Sequence, residues 1–309
     1  MSSVYHDGER AVQAKAGVQH TAERVGNSIH AIMPPAAQDF LREQPFAVIG
    51  AADAEGRLWA SALTGEPGFL QPLSATSLQI GSTLPSTDPL YSPFQNGNRV
   101  AVGMLVIEPE TRRRMRINGQ ATLLPDGSGI RVDTEQVYAN CPKYIQKREV
   151  EMVQASETVA SEQAPRLTPA QQEWIRNADT FFIATAHPES GADASHRGGN
   201  PGFVHLSSDD STLFWGDYVG NAMFNTLGNI AANPRAGLLF VDFDDTGSIL
   251  QLTGQARVLW DDEARAVAPE SERAVAFEVE SVIETRHGFP LRYHFDEYSR
   301  FNPAVSSAE

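Results

Sequence analysis

The amino-acid sequence predicts a mainly β protein with short helices, built as two copies of one small barrel in tandem. Three observations predict it. The stretch ASALTGEPGFLQ (60–71) returns 134 positions later as ASHRGGNPGFVH (194–205), sharing Ala-Ser, a later Gly and Pro-Gly-Phe. The same offset, or one residue more, aligns apolar runs and a Gly-Gln-Ala on either side of that motif. Apolar segments of strand length, separated by turn residues, recur through both copies, and no run approaches membrane-spanning length.

The first element of each copy is a helix. PPAAQDFLREQ (34–44) aligns with TPAQQEWIRNA (168–178), matching Pro35 to Pro169, Phe40 to Trp174 and Arg42 to Arg176. Thr168, Pro169 and Gln171 have the spacing of N-cap, N1 and N3 in a capping box, which starts a short helix. FAVIGAA (46–52) and FFIATA (181–186) follow, each before a Gly-containing turn, EGR or ESGAD. They read as first strands feeding hairpins. Beyond the opening motif, SLQIGS (77–82) and TLFWGD (212–217) predict further strands. NAMFNTLGNIAAN (221–233) predicts a short helix ending before Pro234. VAVGMLVI (100–107) and AGLLFVDF (236–243) read as long buried strands, and RINGQATLL (116–124) and QLTGQARVL (251–259) as the last.

Each copy thus reads helix, three strands, short helix, two strands. Antiparallel strands at this spacing form a closed or nearly closed barrel, because closure removes exposed edges. EMVQASETVASEQAPRL (151–167) lacks aromatic residues and is rich in Ala, Ser and Glu, so it reads as a linker with some helical character. The expected organisation is an N-terminal extension (1–33), a first barrel copy (34–150), the linker (151–167) and a second copy (168–309).

Composition narrows the function. The 309 residues are 41% hydrophobic and 20% charged, enough for one large domain or two medium ones. A formal net charge of -15 makes nucleic acid or an anionic membrane a poor partner overall, though it leaves room for a local basic pocket. Lys occurs only at 15, 143 and 147; every other cation is Arg. The single Cys141 excludes an internal disulfide or a Cys-based metal cluster and fits a reducing cytoplasm. The polar N-terminus lacks an apolar signal core, so a soluble cytoplasmic protein is expected.

SHRGGNPGFV, the GDYVGN turn before NTLGNIAANPRAGLLF, NCPKYI (140–145) and the leading HDGERAVQAKAGV (6–18) resemble the pyridoxamine-5′-phosphate-oxidase-like FMN-binding split-barrel superfamily. Within it, the chain is similar to a tandem-barrel subgroup of flavin-nucleotide-binding proteins, from about residue 5 to 300. The resemblance implies split β-barrels that normally pair as homodimers, with FMN in the groove between protomers. A chain with two barrels then forms an intramolecular pseudo-dimer.

An FMN phosphate needs several charge-assisted donors, and Arg is the best forked one. In the second copy Ser195, His196 and Arg197 supply a hydroxyl, an imidazole and a guanidinium. Strand alternation sends 195 and 197 to one face and 196 to the other. Gly198 and Gly199 break that regularity and let backbone approach a ligand. The resemblance places Trp215, Asp217 and Asn221 near the flavin, and His205 where related oxidases carry a Lys. It also places Lys143 and Tyr144 beside the same groove; an alternative is a helix start capped by Asn140.

The first copy lacks this equipment: Ala62, Leu63 and Glu66 stand in place of His196, Arg197 and Asn200. It has instead TRRRMRING (111–119) opposite TGSILQLTG (246–254), with Arg113 and Arg114 where Ser248 and Ile249 stand. In the resembling family this strand contacts the FMN held by the partner barrel. A solvated strand edge is the alternative for the Arg run, and a surface ion pair for His196-Arg197. The expectation is one composite FMN site per chain with its twin closed.

The implied activity is an FMN-dependent oxidoreductase acting on a small organic substrate, with NAD(P)H or oxygen as redox partner. No G-x-S-x-G, H-E-x-x-H, P-loop or Rossmann fingerprint competes with it. Metal binding is not expected, and among the eight dispersed His only His196 and His205 are expected to approach one another. The ending YSRFNPAVSSAE lacks the Arg-Leu-x-Pro segment of true pyridoxamine phosphate oxidases, which disfavours that substrate. Alternatives are a haem-binding split barrel with a His axial ligand, or a non-catalytic flavin or electron carrier. The chain is expected as a monomer (a pseudo-dimer in itself) or a homodimer.

Overall fold

The structure is a computed structural model that describes residues 3–95, 97–153 and 159–304. Helices α1 (Asp7–Lys15) and α2 (Gln19–Gly26) lead. The first barrel follows as α3 (Pro35–Glu43), β1 (Phe46–Ala52), β2 (Leu58–Thr64), β3 (Leu70–Ser74), β4 (Ser77–Ile80), α4 (Tyr91–Gln95), β5 (Val100–Glu108), β6 (Arg113–Leu123) and β7 (Ile130–Ala139). After β8 (Lys147–Met152) and β9 (Ala160–Ala164) comes the second: α5 (Pro169–Asn177), β10 (Thr180–His187), β11 (Gly191–Gly198), β12 (Val204–Leu206), β13 (Thr212–Gly216), α6 (Asn225–Ala232), β14 (Arg235–Val241), β15 (Ile249–Trp260), α7 (Asp261–Val267) and β16 (Arg273–Arg286). Strand β17 (Leu291–Glu297) pairs with β8 in a separate two-stranded ribbon. No described helix is long and apolar enough to cross a membrane.

The duplication holds in three dimensions. One sheet runs β2-β1-β5-β6-β7-β4-β3 and the other β11-β10-β14-β15-β16-β13-β12, the same order strand for strand. Apolar side chains from all seven strands of the first sheet meet in one cluster around Trp59, Met104 and Ile117, so the sheet curls around its own core. Phe181, Trp215, Phe240 and Phe277 centre the equivalent core of the second. The shared Gly-Gln-Ala has a local cause: Gly119 and Gly254 each follow a register shift, where a Cβ would strike the carbonyl of Asp133 or Glu278.

Two strands per copy were not legible in the sequence. Strands β3 and β12 start directly after the repeated Pro-Gly-Phe, at Leu70 and Val204. Strands β7 and β16 escape the fixed offset because α7 intervenes: Gly119 pairs with Thr134 but Gly254 with Val279. The helix starts are as expected. Thr168 accepts from the Gln171 amide, and the Gln171 side chain accepts in turn from the Thr168 amide at 2.9 Å. The helical character expected of the linker is absent among its described residues. Residues 160–164 form β9 on β16, with Gln163 Nε2 donating to Ser281 Oγ at 2.9 Å; residues 154–158 lie outside the described residues.

The barrels meet through equivalent positions, as across a two-fold axis. A Cβ on Gly50 would lie 2.6 Å from that of Ala184, its own counterpart 134 residues on. Gly103 abuts the backbone of Asp193, and its counterpart Gly237 abuts that of Trp59, the counterpart of Asp193. Phe182, Ala194 and Leu239 pack with Val48, Ala60 and Leu105 in a third apolar cluster between the barrels. Gly103→Val should lower stability by about 1–3 kcal/mol or more, because overpacking here meets backbone rather than a movable side chain. An unchanged urea unfolding midpoint would contradict this reading of the seam.

Candidate functional site

The groove lies at one end of that seam, where β6 of the first barrel faces β11 of the second. Period-2 alternation along β6 decides which arginines reach it. Met115 points into the first core. Arg113, on the same face, stays outside: its guanidinium holds Glu108 at 2.5–2.8 Å and lies 5.1 Å from the Phe40 ring. Arg113 therefore does not join the groove as expected, and the ion pair accounts for it. Arg114 and Arg116 face the second barrel and both line the cavity, about 240 Å³ in volume.

Arg116, which the sequence reading passed over, is the hub. It holds Asp193 of the second barrel at 2.9 and 3.1 Å and donates to Ser195 Oγ and to Asn225 Oδ1 (3.1 Å). Ser195 is fully buried behind it. Arg114 Nη1 donates to His196 Nδ1 at 2.9 Å, which ties the first barrel to the His-Arg pair of the second. Arg197 donates to its neighbour's carbonyl, His196 O, at 3.0 Å. His196, Arg197 and Gly198 all line the cavity, so the strand end does not sort them onto opposite sides. At Gly198 a Cβ would collide with the Tyr144 carbonyl, which explains the glycine.

The remaining wall comes from the loops. After β7, Lys143 and Tyr144 line the cavity in a loop, not a helix start; Tyr144 has φ 68°. Its hydroxyl donates to Val219 O at 3.0 Å, and its ring lies 5.3 Å from Tyr218. Lys143 Nζ sits 5.3 Å from the Phe301 ring. Asn221 donates to Asn140 Oδ1 at 2.8 Å, and Arg273, another residue the sequence reading missed, holds Asp217 at 3.2 Å. Ala16 and Val18 of the N-terminal extension complete one side.

Trp215 and His205 are not brought here. Trp215 is 1% exposed in the second core, 5.0 Å from Phe181. His205 sits on β12 opposite Phe214 and is not part of the lining. The pairing of His196 with His205 does not occur; His6 and His187 stack instead, ring centroids 4.1 Å apart. With Asp7 they are the one group among the described residues close enough to share a metal ion. Yet His187 Nδ1 accepts from the Glu189 and Ser190 amides, which leaves its proton on the Nε2 that faces Asp7. A protonated nitrogen is no ligand.

The groove's electrostatics are one-sided. Burial, with Arg116 and Arg197 nearby, pushes the Arg114 guanidinium down to about 9. Burial, then Arg114 and Arg197, hold His196 well below the usual imidazole range, so it is neutral. Burial raises Asp217, opposed by Arg197 and Arg273. Arg114 Nε, Arg116 Nε and Asn140 Nδ2 are buried donors without a partner. Unspent donors around a cation-lined cavity suit a polyanionic group.

The twin location is built differently. Gln251, at the counterpart of Arg116, donates to Ser61 Oγ (2.9 Å), as Arg116 does to Ser195, but spends its other contacts on Ala60 O and Asp88. Ile249, at the counterpart of Arg114, lies in the apolar cluster with Phe243 and Phe289. Leu63 is buried in the first core.

A family model described as pyridoxamine 5′-phosphate oxidase matches residues 167–292. No curated protein matches the chain. Among solved structures, HupZ of Group A Streptococcus is similar at 15% identity, over 43% of this chain and 98% of its own, with a TM-score of 0.31. The FAD binding protein from Mycobacterium smegmatis is similar at 13% identity, over 42% and 98%, TM-score 0.28. HutZ, the heme storage protein from Vibrio cholerae, is similar at 13% identity, over 40% and 96%, TM-score 0.29. The match spans the second barrel, which is thus similar to the pyridoxamine 5′-phosphate oxidase family.

Proposed function

We propose that the two barrels act as an intramolecular pseudo-dimer that binds one FMN per chain in this groove, and that the protein is an FMN-dependent oxidoreductase of a small organic substrate. The observation that carries the reading is the meeting of Arg114 from one barrel with His196-Arg197 from the other, around buried donors that lack partners. In this reading Arg197 and Arg114 grip the phosphate, with Arg116 behind them. Tyr144, Tyr218, Asn221, Lys143 and the Asp217–Arg273 pair line the rest of the cavity. Bound FMN supplies the electron chemistry through its ring.

The chain's own residues orient and exclude water; none is assigned a proton transfer. Neutral His196 already accepts from Arg114, and Asp217 is engaged by Arg273. Haem fits less well, since it asks for a His nitrogen free to ligate. His196 Nδ1 accepts from Arg114, which leaves the proton of the neutral ring on Nε2, and the ring packs edge-on against Phe182 at 5.9 Å, while His205 lies off the groove.

Arg197→Ala should weaken FMN binding by roughly 30- to several-thousand-fold, the range for removing one partner of a buried charged contact, whereas Arg57→Ala in a surface turn should not. Equal retention of flavin by both refutes the phosphate assignment. Arg114→Ala should cost roughly ten- to a hundredfold while Arg113→Ala leaves the dissociation constant unchanged, as the strand alternation requires. The reverse order places the wrong face of β6 at the ligand. Titration of apoprotein should saturate at one equivalent of FMN; two equivalents reopen the twin. Stopped-flow reduction of the bound flavin by NADPH or NADH distinguishes an oxidoreductase from a passive carrier, whose spectrum stays oxidised.

A further inference from the structure

Helix α1 docks on α6 through a pair of glycines. A Cβ on Gly228 would lie 2.6 Å from Glu9 Cα, and one on Gly8 would strike the Gly228 carbonyl. Gln13 Nε2 donates to Met223 O at 2.9 Å, and Val12 joins the second core. This docking drives Glu9, 5% exposed, into the polar seam behind the groove. One carboxylate oxygen accepts the His6 amide at 2.9 Å, closing a capping box. The other accepts from Asn225 Nδ2, and Asn225 Oδ1 accepts from Arg116 Nη1 at 3.1 Å. A single amide thus joins Glu9 to Arg116, whose unpartnered Nε belongs to the groove. On its other side Glu9 borders a second polar cavity of about 160 Å³, with room for water to exchange a proton.

We propose that Glu9 is a positioning residue for the groove, and that an anion entering the groove is accompanied by proton uptake at Glu9. The inference rests on reading the groove as an anion site. An ionised Glu9 can only accept, so it holds the Nδ2 end of Asn225 and thereby commits Oδ1 to Arg116. A protonated Glu9 can donate; the amide is then free to turn and release Arg116 toward a ligand. Two effects share one sign: the anion's charge, and the withdrawal of Arg116, both disfavour a carboxylate at Glu9.

The groups packed around Glu9 bring its own charge change near neutrality. Burial pushes it up to about 7; the His6 amide and Asn225 oppose that, Asp193 adds to it and Arg116 opposes. His6, on the same helix, is pushed down to about 4 by burial and by His187, which stacks on it from β10. Tyr5 is raised to about 12, and Tyr138 of β7 is raised by burial and by Asp193. Asp193 of β11 and Arg116 of β6 are salt-bridged to each other at 2.9 Å.

Calorimetric titration with FMN at pH 7, in two buffers of different ionisation heat, should show fractional proton uptake by the wild type and none by Glu9→Gln. Gln keeps the capping box, as Gln171 does in α5. Between pH 7 and 8.5 the wild-type affinity should fall about three- to tenfold while that of Glu9→Gln stays level; the phosphate's own second ionisation, near 6, lies below this window. Equal uptake by both proteins overturns the proposal. A ligand-free readout separates it from the flavin reading. The Asn225 side-chain NH₂ resonance should shift with a midpoint near pH 7 in the wild type and not in Glu9→Gln. A flat response overturns the relay even where FMN binds. Should neither protein bind FMN at any pH, the flavin reading falls and the amide titration still decides this one.

Discussion

The site depends on one buried ion pair across the seam, Arg116 of the first barrel with Asp193 of the second. Removing one partner from such a pair typically costs about 3–5 kcal/mol, because it strands a charge without water. Here the pair is held by more than Coulomb attraction. The backbone of Asp193 rests on Gly103, so the carboxylate arrives at a depth that only a residue without Cβ allows. Ser195, Asn225 and Tyr138 add hydrogen bonds to the pair, and Arg116 Nε alone is left without a partner. Once Arg116 is fixed in this way, Arg114 two residues earlier must meet His196 three residues after Asp193.

The two copies share a frame and differ in what they bury at corresponding points. Where the second barrel has Asp193, the first has Trp59, fully buried with its Nε1 donating to Asp53 at 2.8 Å. Where the first has Arg114 and Arg116, the second has Ile249 and Gln251. A Trp and an Ile fill volume and lower the local dielectric; an Arg and an Asp keep it polar and need further partners. One end of the seam has closed as core, with Phe46, Phe243, Phe289 and Tyr293 stacked or edge-on within 6.5 Å of one another. The other end keeps unspent donors. The asymmetry is a direct consequence of duplication within one chain, since each half can change without its counterpart.

The N-terminal extension belongs to this site physically. Nothing in the pattern DGERAVQAK marks Glu9 for burial, because an acidic residue at N3 of a helix is adequately explained by capping. Its second role appears only when Gly8 and Gly228 let two helices touch. The same holds for Arg273, on a strand that the repeat offset could not locate, and for the loop at Asn140 to Tyr144, whose left-handed Tyr144 turns the chain back along the groove.

By itself, the sequence determined the duplicated frame but not every strand in it: the offset of 134, the capping box at Thr168, the strand-length apolar runs and the paired glycines are read along the chain without knowledge of which segments pair. It also determined the segregation of His196-Arg197 and the arginine run to opposite copies. Only the tertiary structure decided which arginine of that run faces the seam, since alternation sorts Arg113 from Arg114 only once register is known. It likewise assigned Trp215 to the core, left His205 off the groove and made Arg116 central. The central place of Arg116 and the meeting of Arg114 with His196 depend on contacts between residues 77 to 109 positions apart, and no local pattern encodes them.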